Sequence, residues 1–202
     1  MEKHQAPDLH AVYGAPSELV QRKVLPALDK HCRAFIAASP FLVISSANAE
    51  GAADVSPRGD APGFVAVLDE RRLLIPDRPG NRRIDTLSNV QENPNVGLLF
   101  LVPGMNETLR VNGTAEITFD QALLAPLAVQ GKAPISGLLV TLREAFLHCA
   151  KALIRSRLWD PAAQIDRKSF PTLGRMVADQ IEGLDAEETE ARIQESYRKR
   201  LY

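Results

Sequence analysis

Residues 96–119 constrain the fold most. "VGLLFLV" is a continuous apolar run, "PGMNE" is a turn, and "TLRVNGTAEITF" alternates in polarity. Leu109, Val111 and Ile117 fall on one parity, opposite Thr108, Arg110, Asn112 and Thr114. Two long strands joined by so short a turn must run antiparallel. Any sheet containing them is therefore antiparallel over this pair, and the other segments have to be compatible with it.

Upstream, "FLVISSANAEG" reads as a strand and turn, and "AADVSPRGD" as a second strand whose Pro57 limits its pairing. "GFVAVLD" and "RRLLIP" read as two strands joined by a tight turn at Asp69-Glu70-Arg71. From Asn81 to Glu92 the period becomes helical, with Asn81 as the N-cap and Asn93-Pro94 as the stop. "PSELVQRKVLPALDKHCRAFIAASP" is helical and is split by Pro26. "ISGLLVTL" adds a strand, and "REAFLHCAKALIRSRLW" reads as a helix of about five turns. Asp185 and Glu188 form a capping box for a last helix. The expected fold is α+β: an antiparallel split β-barrel of six to seven strands with flanking helices. One domain spans residues 1–202. It has N-terminal helices at 15–38, the barrel at 41–142 with an inserted helix at 81–92, and C-terminal helices at 143–202.

The stretch "LLIPDRPGNRRIDTLSN" concentrates charge. Arg78, Arg82 and Arg83 lie within six residues, with Asp77 beside them and Arg71 and Arg72 just upstream. The net charge of the chain is -1, so the cluster is local, and general nucleic-acid affinity is not expected. A strand ends at Ile75–Pro76 and a helix start follows. Backbone N–H groups and guanidinium forks at such a junction both match phosphate oxygens. The competing reading is a solvated basic turn paired with Asp77 or Glu92. Arg58, between Ser56 and Asp60, is a second cation or simply part of a surface turn. No G-x-x-x-x-G-K-[ST] or G-x-G-x-x-G occurs, which argues against a nucleoside triphosphate or a Rossmann dinucleotide.

Three stretches together, "SPFLVISSANAEGAADVSPRGDAPGFV", "LLIPDRPGNRRIDTLSNVQENPNVGLLF" and "TLRVNGTAEI", resemble the pyridoxamine 5′-phosphate oxidase-like flavoproteins, in the branch of predicted flavin-nucleotide-binding proteins. The resemblance runs from about residue 35 to 160, and "NRRIDTLSNVQENPNVGLLF" is its most specific part. It implies an FMN-binding split barrel working as a homodimer, with FMN in the cleft between subunits. Asn81, Arg82 and Arg83 would contact the FMN phosphate, and Arg58 would add a cation. Ile75, Pro76, Asp77 and Arg78 would run along the flavin ring and ribityl chain. Thr108 or Arg110 would approach from the other side, and Trp159 would reach the partner's flavin. After Trp159 the chain reads "DPAAQIDRKSFP", without the basic residue and histidine of the oxidases' substrate signature. FMN binding is therefore implied more strongly than pyridoxamine phosphate oxidation. The function expected is an FMN-dependent oxidoreductase of unknown substrate, or else a non-catalytic flavin carrier or sensor on the same barrel. No residue is assigned a catalytic role.

Lys151, Arg155 and Trp159, spaced i, i+4 and i+8, would share a helix face with His148 beside it, on the substrate side. The competing reading is a surface helix with snorkelling cations. His148 and Cys149 are adjacent and do not face each other on a helix, so no nucleophile pair is expected. His4, His10, His31 and His148 lack ligand spacing, so no metal is expected. No histidine falls between 32 and 147, which disfavours haem. No transmembrane run or signal pattern is visible, and the expected location is the cytoplasm, with Cys32 and Cys149 as free thiols.

Overall fold

A computed structural model of the chain describes residues 8–202. The readings that rest on residues 1–7, including His4 and most of the signal-pattern segment, lie outside the described residues. Three N-terminal helices come first: α1 (Leu9–Tyr13), α2 (Glu18–Arg22) and α3 (Lys30–Ala38). The break between α2 and α3 contains Pro26, as expected. Asp29 caps α3 by accepting from Cys32 N–H at 2.8 Å. Strands β1 (Phe41–Ala47), β2 (Ala53–Gly59), β3 (Ala66–Val67) and β4 (Arg72–Pro76) follow, then helix α4 (Asp85–Glu92). Next come β5 (Asn95–Leu101), β6 (Thr108–Thr118), the short helix α5 (Gln121–Leu124) and β7 (Gly137–His148). Helices α6 (Lys151–Ser156), α7 (Leu173–Gln180) and α8 (Ala186–Lys199) complete the chain.

All strand pairs are antiparallel, in the order β2-β1-β5-β6-β7-β4-β3. This is the expected split-barrel architecture with one inserted helix after the fourth strand. Directly paired residues share a sheet face. One row runs Leu42, Phe100, Leu109 and Leu147, and the next runs Ile44, Leu98, Val111 and Ala145. These rows face the core together with Cys32, Phe35 and Ile36 of α3. No helix among the described residues is long and apolar enough to cross a membrane.

Three expected boundaries are corrected. The helix expected from residue 143 is instead the end of β7, which stays in the sheet to His148. A register shift pairs Gly113 with Leu142 but Asn112 with Glu144, leaving Arg143 without a partner. This bulge turns the two-residue repeat of Val140 and Leu142 into a three-residue step to Ala145, which imitates helical spacing. Gly113 permits the close approach, since a Cβ there would stand 2.2 Å from the Thr141 carbonyl oxygen. Beyond the bulge, Leu25 exchanges two backbone hydrogen bonds with Ala145, at 2.9 and 2.8 Å.

The inserted helix starts at Asp85, not Asn81. Arg82 and Ile84 have φ of 61° and 54°, outside the helical region. Asn81 Oδ1 accepts from Arg83 N–H at 3.1 Å, a local turn that competes with capping. Thirdly, α6 ends at Ser156 and Arg157 is left-handed with φ 51°. Lys151 and Arg155 thus lie on one helix, but Trp159 lies beyond it. The Asp185 cap is present, accepting from Glu188 N–H at 2.8 Å, while the Glu188 carboxylate pairs with Arg192 instead of returning to the cap.

Candidate cofactor site

The ends of β2 and β4 meet across the split of the barrel. Arg58 pairs in register with Leu42, so it points to the interior side of the sheet at its open edge, as do Ser56 and Asp54. Asp77 follows the last residue of β4 and donates its N–H to the Ser136 carbonyl at 3.0 Å. Burial pushes the Asp77 carboxyl up, and the Arg58 charge partly opposes this. Arg78 turns to Asp60. Its Nε donates to Asp60 Oδ2 at 2.6 Å and its Nη1 to the Leu127 carbonyl at 2.9 Å. Both side chains are largely buried, with 17% and 3% exposed. Burial alone would raise the Asp60 carboxyl, but bonds from Tyr202, Ala61 N–H and Arg78 hold it below its ordinary value.

The Arg78 side chain is therefore committed to the junction between the end of β2, the end of β4 and Leu127. Ile75 and Pro76 are buried, and Ile75 belongs to the core. Any contact they make with a ligand is through backbone. The loop 79–84 carries the free charge. Arg83 Nε donates to Asp85 at 2.7 Å, whereas Arg82 has no ion pair among the described residues and is exposed. The α4 N-terminus has no side-chain cap, so its first amides lack the bond an N-cap would give. Glu92 accepts from Ala49 N–H at 3.1 Å and is not a partner of the arginines. Asn89 donates to Ser46 Oγ at 3.0 Å and Thr86 to Asp54 at 3.4 Å, holding α4 on the β1–β2 hairpin.

The left-handed Ile84 is a β-branched residue in a conformation that disfavours it. Strain of this kind collects where backbone is held for a ligand. The exposed Arg82 and the uncapped α4 amides are donors of the kind that suit phosphate oxygens, and Arg58 is a separate cation on β2 beside Asp77.

A second group lies on the opposite face. Arg110 pairs with Leu99 and Phe146, outside the core rows. Thr108 is buried on this same parity, opposite His148. The Phe146 ring has two cations against it, with Lys23 Nζ 4.2 Å and Arg110 Cζ 5.0 Å from its centroid. Asn112 Nδ2 donates to Glu144 at 2.8 Å, and Arg110 reaches the same oxygen at 3.5 Å. The Arg110 Nε is buried with no partner. His148 packs edge-on to Phe146 at 4.9 Å, and burial, then Arg110 and Lys23, push its pKa down. Trp159 donates its indole N–H to the Met105 carbonyl at 2.7 Å. Lys151 and Arg155 are exposed on α6. Both cysteines are free; Cys32 is buried with its thiol pushed up to about 11, and Cys149 is exposed.

The structure thus groups Arg58, Asp77, Arg78 and the 81–83 loop at one edge, and Thr108, Arg110 and His148 on the other face. Sequence reasoning missed Asp60, Tyr202, Lys23, Phe146 and Glu144. Only Asp60 had a local signal, as the acid two residues after Arg58. A shallow depression of about 660 Å³ is lined by Arg33, Asp69, Glu70, Arg71, Arg72 and Thr141. It contains none of these site residues.

The sequence matches the pyridoxamine 5′-phosphate oxidase family over residues 28–149, more than half of the chain. No curated protein matches it. Among solved structures, HupZ of Group A Streptococcus is similar with 14% identity and a TM-score of 0.50, covering 59% of this chain and 93% of HupZ. An FMN-binding protein from Syntrophomonas wolfei is 10% identical with a TM-score of 0.45, covering 65% of this chain and 87% of its own. General stress protein 26 from Bacillus anthracis is 15% identical with a TM-score of 0.44, covering 56% and 88%.

Proposed function

This chain belongs to the pyridoxamine 5′-phosphate oxidase family, and on that premise we propose that it binds FMN between two copies of itself and acts as an FMN-dependent oxidoreductase. The observation that carries the reading is the donor set at the strand-to-helix junction: exposed Arg82, the uncapped α4 amides, and Arg58 across the split. Asn81, Arg82 and Arg83 would hold the phosphate. The backbone of Ile75, Pro76, Asp77 and Arg78 would line the ring and ribityl edge. FMN, when bound, supplies the electron transfer. Fold alone assigns no substrate.

The placement of site residues on two faces supports the homodimer reading. Within one chain Arg58 faces the interior side and Arg110 the outer side, so one ligand does not reach both. A second copy packed on the outer face would bring its Thr108, Arg110 and Trp159 to the first copy's phosphate loop. The unpartnered Arg110 Nε would then find an acceptor. Lys151, Arg155 and His148 would lie on the substrate side. The protein is read as cytoplasmic, with no nucleic-acid or membrane partner.

The protein as purified should show visible flavin absorption or take up added FMN stoichiometrically. A colourless protein indifferent to FMN would sink the proposal. Oxidation of NAD(P)H or a reduced substrate by the loaded protein distinguishes an oxidoreductase from a carrier. Sedimentation at micromolar concentration should give a dimer, and a monomer there would remove the shared cleft.

A further inference from the structure

Residues 150–202 lie beyond both the last strand and the family match at 28–149. They form an arm with its own packing. Gly174 N–H donates to Glu190 at 2.7 Å, and a Cβ on Gly174 would stand 2.5 Å from the Glu190 backbone nitrogen. Helices α7 and α8 are therefore tightly joined to each other. They bury little: only Gly174 is buried on α7, and no residue on α8.

Side-chain hydrogen bonds tie the arm to the barrel near its two ends. Near its start, the Trp159 indole N–H donates to the Met105 carbonyl, in the β5–β6 turn. At its end, the Tyr202 hydroxyl donates to Asp60 Oδ1 at 2.7 Å, and Lys132 Nζ donates to the Tyr202 backbone oxygen at 3.2 Å. Asp60 is the carboxylate whose other oxygen holds Arg78. Arg78 directly follows Asp77, and Arg58 lies two residues before Asp60. The arm thus ends on the Asp60–Arg78 pair, next to the residues read above as the flavin edge.

We propose that this arm is a strap across the mouth of the flavin cleft, latched by the Tyr202 hydroxyl on Asp60, so that flavin enters and leaves when the latch opens. This rests on the FMN reading above. An element docked by its ends, with few buried side chains, opens locally at low free-energy cost. The latch is also sited where its release loosens Arg78 and the strand end that Arg78 anchors.

The test uses the full chain with Tyr202→Phe and, separately, Lys132→Ala, neither of which removes a residue assigned to the flavin. Amide hydrogen exchange over residues 186–202 and the FMN dissociation rate are measured in parallel. Both should rise roughly tenfold in Tyr202→Phe, the loss of one hydrogen bond to a charged group, and rise less in Lys132→Ala. Unchanged exchange in both variants would overturn the latch. Faster exchange with an unchanged FMN rate would overturn the strap, since the arm would then open without uncovering the cleft. Wild-type protein that takes up no FMN would defeat the flavin reading and the strap together, an outcome distinct from FMN uptake with unaltered rates.

Discussion

Replacing Arg78 with alanine should destabilise the protein by about 3 kcal/mol at neutral pH, the largest stability effect expected at the site. The variant leaves the Asp60 carboxylate, 3% exposed, without its guanidinium partner. Asp60 keeps the Tyr202 hydroxyl and the Ala61 N–H, which places the loss at the lower end of the range for a broken buried pair. The pH dependence has a definite sign. The folded Asp60 carboxyl titrates below its ordinary 3.8, so its stabilising contribution is present above that pH and lost as pH falls through the folded value. The gap between wild type and variant should therefore narrow in acid. Urea unfolding at pH 7 and pH 3 measures it, and a gap of equal size at both would mean that the ion pair is not its source.

Arg82→Ala should weaken FMN binding by about 1.5–3 kcal/mol, roughly a 10- to 150-fold rise in Kd. Arg82 is exposed and has no ion pair among the described residues, so apo stability should change by no more than about 0.5 kcal/mol. Arg83→Ala should have the smaller effect, because the Arg83 Nε is already bound to Asp85. Titration followed by flavin fluorescence separates the two. An Arg82→Ala protein with wild-type affinity would move the phosphate away from this loop.

Much of the barrel is legible in the sequence because its rules are local. The alternation of Leu109 and Val111 against Arg110 and Asn112 put Arg110 on the outer face, and the strand pairing agrees. Pro57 pointed to limited pairing for its strand, and β2 pairs only with β1. The rest depends on contacts the local pattern does not encode. The bulge opposite Gly113 gave β7 a helical rhythm. Asn81 looked like a cap, but its side chain closes a turn two residues on. The pair of Arg78 with Asp60 spans 18 positions and that of Tyr202 with Asp60 spans 142. For the arginine cluster, the sequence showed the charge but not its division. Arg78 pairs with Asp60, Arg83 pairs with Asp85, and Arg82 is exposed with no ion pair among the described residues.

The two ends of the sheet constrain how copies of this protein can associate. The β2 edge lacks a donor at Pro57, and β3 at the other edge is only two residues long. Neither edge offers the uninterrupted backbone ladder that strand addition needs. Any association between copies would therefore rest on side-chain packing rather than on main-chain pairing. The same two edges guard the chain against open-ended polymerisation while leaving a closed, two-fold assembly accessible.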